Sequence, residues 1–282
     1  MNDEKRGILY MIGCAVLWSI SGVFIKLLPW HGLAVASLRS IIAVLTIVAY
    51  MIIKHIPFII NRITLLTGII TGIGTVFIAT ANKMTTAANV TVLQFTTPIF
   101  VLLFSAIFLS KIVRKKDCIV VLIVIGGITL CFLDQLAFKS LLGNLLAVLA
   151  GLLMAIMYIL VDEIQLYERY SSMAICQAVA FLIGLPAVII TKPEFSIMAI
   201  MSICILGIFQ LGVAYILFVK ASITCPAFAR SLLSAIEPLL NPVWVALVIG
   251  EIPGPLAIIG GAIVITAVTY WCIWNEKQPK NP

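Results

Sequence analysis

The chain has 282 residues, of which 63% are hydrophobic and 10% are charged, and its formal net charge is +7. Soluble proteins have about a quarter of their residues charged, and the mean hydropathy of +1.21 is too high for a water-facing surface. The composition therefore excludes a soluble protein and predicts an integral membrane protein.

Ten apolar segments are long enough to cross a bilayer, which takes about 20 helical residues. They are continuously apolar, without the alternation of a membrane-spanning strand. The first does not read as a cleaved signal, because its apolar run continues past Trp18 into a full span. We predict transmembrane helices at 7–27, 33–53, 63–82, 86–110, 117–133, 142–161, 172–191, 197–219, 225–249 and 255–274.

The distribution of basic residues predicts the orientation of these helices. With the N-terminus inside the cell, twelve Lys and Arg residues fall on the cytoplasmic side and only Lys26, Lys83, Lys139 and Lys192 fall on the other. Basic residues concentrate in cytoplasmic loops, so we predict a multi-pass protein of the plasma membrane with both termini in the cytoplasm. Basic residues at membrane edges meet anionic lipid headgroups, so the net charge requires no nucleic-acid partner.

The two halves of the chain share landmarks at an offset of 140 residues. Pro98 then aligns with Pro238, Ala106 with Ala246 and Thr75 with Tyr215. Because each half has five predicted helices, the second half enters the membrane from the opposite side. Inverted repeats of this kind surround a midplane site in many transporters. We therefore predict an all-α integral membrane protein with ten transmembrane helices, arranged as two inverted five-helix repeats around a central cavity. The repeats are 7–133 and 142–274, with a linking loop at 134–141 and a cytoplasmic tail at 275–282.

Glu237 is the most informative residue of the ninth predicted helix. It lies about twelve residues into the helix, hence roughly 18 Å from the cytoplasmic edge. A charge at that depth costs about 2.5–3.5 kcal/mol even on mild insertion scales, so it needs a partner, water or a proton. Polar and aromatic residues recur around it at spacings of 4, 3, 4 and 3, and so share one helix face: Arg230, Ser234, Glu237, Asn241 and Trp244.

Other predicted helices carry similar stripes of polar or aromatic residues. We expect the stripes to face one another around the cavity. Pro98, Pro238 and Pro242 each remove a backbone donor, so we also expect kinks with freed carbonyls near the midplane. The candidate substrate-binding residues are Trp18, Arg39, Gln94, Tyr158, Tyr215, Glu237, Asn241 and Trp244.

Each candidate also has a structural interpretation. Glu237 could be hydrogen-bonded to a neighbouring helix near the kink, and amides such as Gln94 and Asn241 also join membrane helices. For Arg39 and Arg230 the structural interpretation is favoured, because both are near a membrane edge and could extend to the headgroups. The glycine pairs 126–127 and 260–261 are predicted helix-packing positions.

The sequence resembles the EamA family of the drug/metabolite transporter superfamily over nearly its whole length. The resemblance rests on ALWSISGVFIK (16–26), LRS (38–40), TTAANVTVLQFTTPIF (85–100), IEPLLNPVWVALVIGE (236–251) and IIGGAIVI (258–265). The first half departs from the pattern, with Thr97 and Lys111 where the second has Glu237 and Glu251. Similarity to this family implies ten helices in two repeats and secondary transport, most often export, of a small metabolite or drug-like compound.

We predict a secondary active transporter, an exporter of an amino acid-like or amphipathic organic compound, working by alternating access. Glu237 is the candidate proton-coupling residue. The alternative is a channel or a non-transporting membrane scaffold. No paired carboxylates, zinc-protease motif or nucleotide-binding motif is present, so we expect neither an enzyme nor an ATP-driven pump. We expect no metal or other cofactor, and partners limited to the small-molecule substrate and membrane lipids; a homodimer is an open alternative to a monomer.

Overall fold

The computed structural model describes residues 3–85, 87–110, 113–131, 133, 140–249 and 254–276, and in these ranges every regular element is helical. The α-helices are α1 (Asp3–Ser19), α2 (Ser21–Lys26), α3 (Gly32–Ile53), α4 (Arg62–Met84), α5 (Ala87–Gln94), α6 (Thr97–Phe108), α7 (Lys115–Cys131), α8 (Leu141–Glu163), α9 (Leu166–Thr191), α10 (Ile197–Ile205), α11 (Ala214–Ala221), α12 (Ala227–Leu233), α13 (Ile236–Ile249) and α14 (Pro255–Glu276). A π-helical segment, Leu206–Val213, joins α10 to α11. Most of the predicted linking loop, residues 277–282 of the predicted tail and the side chain of Asn241 lie outside the described residues.

Seven stretches of the described chain are long and apolar enough to cross a membrane: Asp3–Ile25, Gly32–Ile53, Arg62–Ala81, Asn89–Phe108, Leu141–Glu163, Leu166–Thr191 and Ile197–Ala221. The count of ten predicted spans is therefore not confirmed. The remaining predicted segments are helical but shorter or interrupted. Helix α7 has 17 residues, the ninth segment is divided into α12 and α13, and the apolar part of α14 is Ile258–Trp274.

Helix is the favoured backbone in these segments because a helix satisfies its own N–H and C=O groups where water is absent. The helix starts, by contrast, have free N–H groups that side chains must satisfy. Asn61 Oδ1 accepts from the Thr64 amide at 2.8 Å at the start of α4. Ser140 Oγ accepts from the Gly143 amide at 3.1 Å at the start of α8.

Three of the apolar segments are broken into two helices. The breaks are at Ile20, between α1 and α2, at Phe95–Thr96, between α5 and α6, and at Ser234–Ala235, between α12 and α13. The predicted disturbance by Pro98 and Pro238 is present in the last two. Thr97 Oγ1 donates to the Gln94 carbonyl at 2.6 Å, and the Glu237 amide donates to the Ser234 carbonyl at 3.0 Å. Local donors therefore satisfy the carbonyls that the prolines free.

Helix α3 packs closely between α9 and the π-helical segment because glycines face it. A Cβ on Gly184 of α9 would lie 2.6 Å from the Leu33 carbonyl oxygen, and one on Gly207 would lie 2.9 Å from the Arg39 carbonyl oxygen. Small residues allow this close approach of membrane helices. The packing holds Arg39 against the π-helical segment.

Helices α7 and α14 also pack through glycine, but only one residue of each predicted glycine pair takes part. A Cβ on Gly127 would lie 2.7 Å from Val264, and one on Gly260 would meet the Gly127 carbonyl oxygen. A Cβ on Gly126 would meet nothing within 4 Å, and one on Gly261 only Leu239 at 3.8 Å. The prediction for Gly126 was wrong, because adjacent residues on a helix point about 100° apart and Gly126 faces away from α14, whereas Gly261 packs against Leu239 of α13.

The two ends of the described chain lie at the same face of the molecule, which we call the termini face. Thr224 Oγ1 donates to the Asp3 carbonyl at 2.9 Å. Near the end of α14, Trp271 Nε1 donates to Asp117 Oδ1 at 2.8 Å. Residues from both ends, Glu4 and Trp271, also line one small cavity there. An even number of crossings is consistent with this arrangement.

Candidate functional site

Four aromatic rings form one cluster in the interior, contributed by α1, α8 and α11. The Trp18 and Tyr215 rings lie edge to face with centroids 5.7 Å apart. Phe218 lies 6.1 Å from Trp18 and 5.5 Å from Tyr158. Edge-to-face pairs at such separations are favourable. The structure therefore brings together three of the predicted site residues, Trp18, Tyr158 and Tyr215, and adds Phe218.

The phenol hydroxyls of this cluster lie close to polar groups of neighbouring helices. The Tyr158 hydroxyl lies near Ser234, beside the break between α12 and α13. The Tyr215 hydroxyl lies near Thr75 of α4, and both side chains lie near the Cys176 thiol of α9. Buried hydroxyls need such partners. Polar groups of neighbouring helices therefore surround both phenols, and the four rings are at most 5% exposed.

Glu237 lies in the first turn of α13, immediately after the break. Its side chain is only partly buried. It interacts electrostatically with Arg39 of α3, Cys14 of α1 and Tyr158 of α8. Among the described residues, no hydrogen bond or ion pair within 4.0 Å reaches the Glu237 carboxylate. The predicted structural role, a hydrogen bond to a neighbouring helix, is therefore absent among these residues.

Arg39 is the cation that faces Glu237, and it is 8% exposed. Its Nη1 donates to Gln210 Oε1 at 3.4 Å, which is long for such a bond. Its Nε is buried without a partner. The expectation that Arg39 extends to the headgroups was wrong, because α3 holds its side chain inside the helix packing.

Gln210 was not predicted, and the π-helical segment explains why. In a regular helix the residue one turn before Tyr215 on the same face is Leu211. In a π-helix the hydrogen bonds join residues five apart, so Gln210 approaches that position instead. The π turn has no clear sequence signal, and π turns are frequent at functional sites.

The position of the Arg230 side chain also differs from the predicted one. Its side chain is 0% exposed, and its Nη2 lies 2.7 Å from Asp162 Oδ1 of α8. The guanidinium also donates to the Tyr158 carbonyl at 2.7 Å and the Cys225 carbonyl at 2.9 Å. Arg230 therefore does not reach the headgroups, and the favoured structural interpretation holds through contacts inside the protein. The partner Asp162 was not predicted, because nothing in the sequence relates α8 to α12.

The remaining predicted residues are placed as follows. Trp244 Nε1 donates to Ser19 Oγ at 2.7 Å, which joins α13 to the end of α1. Gln94 is partly buried, and a Cβ on Gly151 of α8 would lie 2.9 Å from its carbonyl oxygen. Nothing is described for the Asn241 side chain.

Within the described part of the chain, no three His, Cys, Asp or Glu side chains lie close enough together to hold a metal ion. The site thus consists of an aromatic cluster with one carboxylate and one guanidinium beside it. Such a set can bind a molecule with charged ends through electrostatic contacts and can hold a proton on Glu237.

Comparison with known proteins gives two findings. A family model described as the EamA-like transporter family matches residues 5–133 and 141–271. Among solved structures 29 chains match, and one crystal structure superposes with a TM-score of 0.83 at 15% sequence identity, covering 97% of this chain and 99% of the other. At that identity the likeness concerns the fold alone. No curated protein matches the sequence.

Proposed function

This chain belongs to the EamA-like transporter family, and from that premise we propose that it is a secondary active transporter. It exports a small metabolite across the plasma membrane by alternating access, and Glu237 couples this movement to protons. Both termini face the cytoplasm, so export runs away from the termini face. The two family segments act as inverted repeats that rock around the site between them.

The observation that carries this proposal is the separation of Glu237 from Arg39. The two opposite charges interact electrostatically, yet no contact of 4.0 Å or less joins them. Within the described part of the chain, Arg39 has only one long hydrogen bond and Glu237 has none to its carboxylate, and unsatisfied charged groups are expensive inside a protein. A purely structural pair would be expected to close this gap. A transport site leaves it for the cargo.

The charges on either side of the gap favour a zwitterionic cargo. Arg39 can receive a carboxylate, Glu237 can receive an ammonium group, and the neighbouring aromatic rings can pack against an apolar body. An amino acid-like compound has all three features, and an amphipathic organic cation has two of them. A cargo with only negative charge fits less well, because Glu237 would repel it.

Proton coupling follows from the groups that face Glu237. These are Arg39, Cys14 and Tyr158, and Arg39 is the cation among them. When Arg39 or a cargo ammonium group approaches, the ionised carboxylate is favoured; when both withdraw in the dry interior, the protonated form is favoured. Rocking between these arrangements would link the proton to the side that is open.

The test is transport into proteoliposomes by the wild type and by Glu237→Gln. The glutamine keeps the shape of the side chain but cannot titrate. We expect Glu237→Gln to exchange labelled cargo for unlabelled cargo and to lose accumulation driven by a pH gradient. Glu163→Gln, an exposed substitution at the end of α8, is the matched control and should behave as the wild type.

Two outcomes would contradict the proposal. If Glu237→Gln accumulates cargo as well as the wild type, Glu237 does not couple transport to protons. If the wild type shows flux that neither saturates nor exchanges, the protein is a channel. Cargo for these assays is chosen by thermal shift of the purified protein, because a bound ligand stabilises the folded state.

A further inference from the structure

A charged network closes the interior at the termini face. Arg230 of α12 is its centre, paired with Asp162 at the end of α8. Arg169 of α9 donates from Nη1 to the Ser222 hydroxyl at 2.8 Å and to the Ser222 carbonyl at 2.7 Å, just after α11. Its Nη2 donates to the Asp162 carbonyl at 3.4 Å. Four helices of the second family segment therefore meet at this network.

The network separates the small cavity at the termini face from the aromatic cluster. On the outer side, Cys225 and Ala229 line the cavity together with Trp271. On the inner side, the guanidinium carbon of Arg230 lies 5.3 Å from the Phe218 ring centre and 5.9 Å from that of Tyr158. A molecule that moved between the aromatic cluster and the termini face along α12 would have to displace this side chain.

The central contact is well suited to opening. Arg230 Nη2 and Asp162 Oδ1 are only 2.7 Å apart, but Asp162 Oδ1 makes no hydrogen bond of acceptable geometry. The pair is thus held by charge rather than by a well-aligned bond. The Asp162 side chain is 27% exposed, so water can solvate its carboxylate when the pair separates, which lowers the penalty of separation.

The opposite end of the molecule has a neutral counterpart. Thr85 Oγ1 donates to Asn144 Oδ1 at 2.8 Å, and Asn89 Nδ2 donates to Thr85 Oγ1 at 3.0 Å. At the repeat offset of 140, Thr85 and Asn89 correspond to Cys225 and Ala229, which flank the charged network. The two ends are therefore closed by different chemistry, with ionised groups at the termini face and neutral groups at the other end.

We infer that Asp162, Arg230 and Arg169 form the gate of the termini face, which must open for cargo to pass between the site and that face. This inference goes beyond the proposed function, since it assigns gating residues and not cargo or coupling. Arg230 swings away from Asp162 on opening and releases the Cys225 carbonyl, so the outer cavity widens and the Cys225 thiol that lines it becomes accessible. In the closed structure Cys225 is 1% exposed.

The test measures how fast N-ethylmaleimide modifies Cys225 in the full-length protein, with quantification by peptide mass spectrometry. We expect Asp162→Asn to speed the reaction about tenfold or more over the wild type, and Arg169→Gln to speed it to a smaller extent. Asp162→Glu retains the carboxylate and should react nearly as slowly as the wild type. Glu163→Gln, a carboxylate-to-amide change at the exposed residue next to Asp162, should have no effect.

Cys176 provides a control for general loosening, because it is 0% exposed and lies at the interface of α9 with α4 and α11. In every variant it should remain unreactive. If Asp162→Asn does not fold, the reactivity of Cys225 in Arg169→Gln tests the gate assignment. The gate assignment would be overturned by unchanged reactivity of Cys225 in the folded variants, or by equal increases at Cys176 and Cys225. Because the readout needs no cargo, its failure is distinguishable from failure of the transport function.

Discussion

Trp244 donates a 2.7 Å hydrogen bond from its indole nitrogen to Ser19 Oγ, and Ser19 Oγ in turn donates to the Val16 carbonyl at 2.6 Å. Ser19 is the last residue of α1, directly before the break at Ile20. Trp244 lies on α13, the helix that begins after the break at Ser234–Ala235. The bond therefore ties together two interrupted helices. Trp244 therefore anchors to α1 the same helix that carries Glu237.

The bond can be measured with a double-mutant cycle. We expect Trp244→Phe and Ser19→Ala each to lower the free energy of unfolding, with a coupling energy of about 0.5–1.5 kcal/mol, the usual net value of one hydrogen bond. Thermal or denaturant unfolding in detergent provides the measurement. Strictly additive effects would show that the two side chains do not interact.

The contact between α7 and α14 predicts different results for two adjacent glycines. We expect Gly127→Ala to lower the free energy of unfolding by about 1–3 kcal/mol, the usual penalty for overpacking a tight contact, since its Cβ would crowd Val264. Gly126→Ala is the matched control. Its Cβ meets nothing within 4 Å, so it should be neutral or stabilise the helix by up to about 1 kcal/mol. Equal losses for both variants would mean that the two helices pack in a different register.

Arg39 should discriminate between cargo that has a carboxylate and cargo that does not. We expect Arg39→Gln to weaken binding of a zwitterion by about 1.5–3 kcal/mol, the value of a hydrogen bond to a charged group. Binding of the corresponding amine without the carboxylate should change little. Affinities measured by calorimetry on a matched pair, such as an amino acid and its decarboxylated amine, provide the check.

Arg62→Gln is the control for this experiment, because Arg62 is exposed at the start of α4. It should bind both compounds as the wild type does. Equal weakening of the zwitterion and the amine by Arg39→Gln would indicate that Arg39 only supports the fold. In that case the carboxylate of the cargo would have another partner.

The orientation can be tested with single cysteines in a chain whose seven native cysteines are replaced by serine. We expect Lys5→Cys and Lys54→Cys to react with a membrane-impermeant maleimide only after the membrane is opened, because basic residues favour the cytoplasmic side. Glu194→Cys should react in intact cells, since the loop after α9 lies at the other face. Reaction of Lys5→Cys in intact cells would reverse the direction of transport that we propose.

Much of the local structure was predictable because membrane segments obey simple local rules. The positions of Pro98 and Pro238 predicted the interruptions, since proline removes a backbone donor whatever surrounds it. Helical spacing predicted that Trp18, Tyr158 and Tyr215 lie on the inward faces of their helices. Their clustering followed from this. As cargo contacts, all eight candidate residues stay predictions: Trp18, Arg39, Gln94, Tyr158, Tyr215, Glu237, Asn241 and Trp244.

Pairing between distant helices was not predictable in the same way. The partners of Arg230 and Arg39, Asp162 and Gln210, lie 68 and 171 residues away along the chain, and no local pattern relates such positions. Distance to a membrane edge suggested that both arginines extend outward, yet both are buried. Likewise, the sequence shows which positions are glycine, but only the neighbouring helix decides which face of the helix is in contact.

By itself, the sequence determined the membrane environment, the helical backbone, the breaks beside Pro98 and Pro238 and the family, because each depends on composition or on residues within a few turns of one another. The tertiary structure alone decided that Glu237 and Arg39 face each other without touching, that a π turn brings Gln210 to Arg39, and that Asp162 pairs with Arg230 at the termini face. These relationships depend on how helices far apart in the chain cross and rotate. In a membrane, close packing and buried polar contacts set that geometry, and no single segment contains the information.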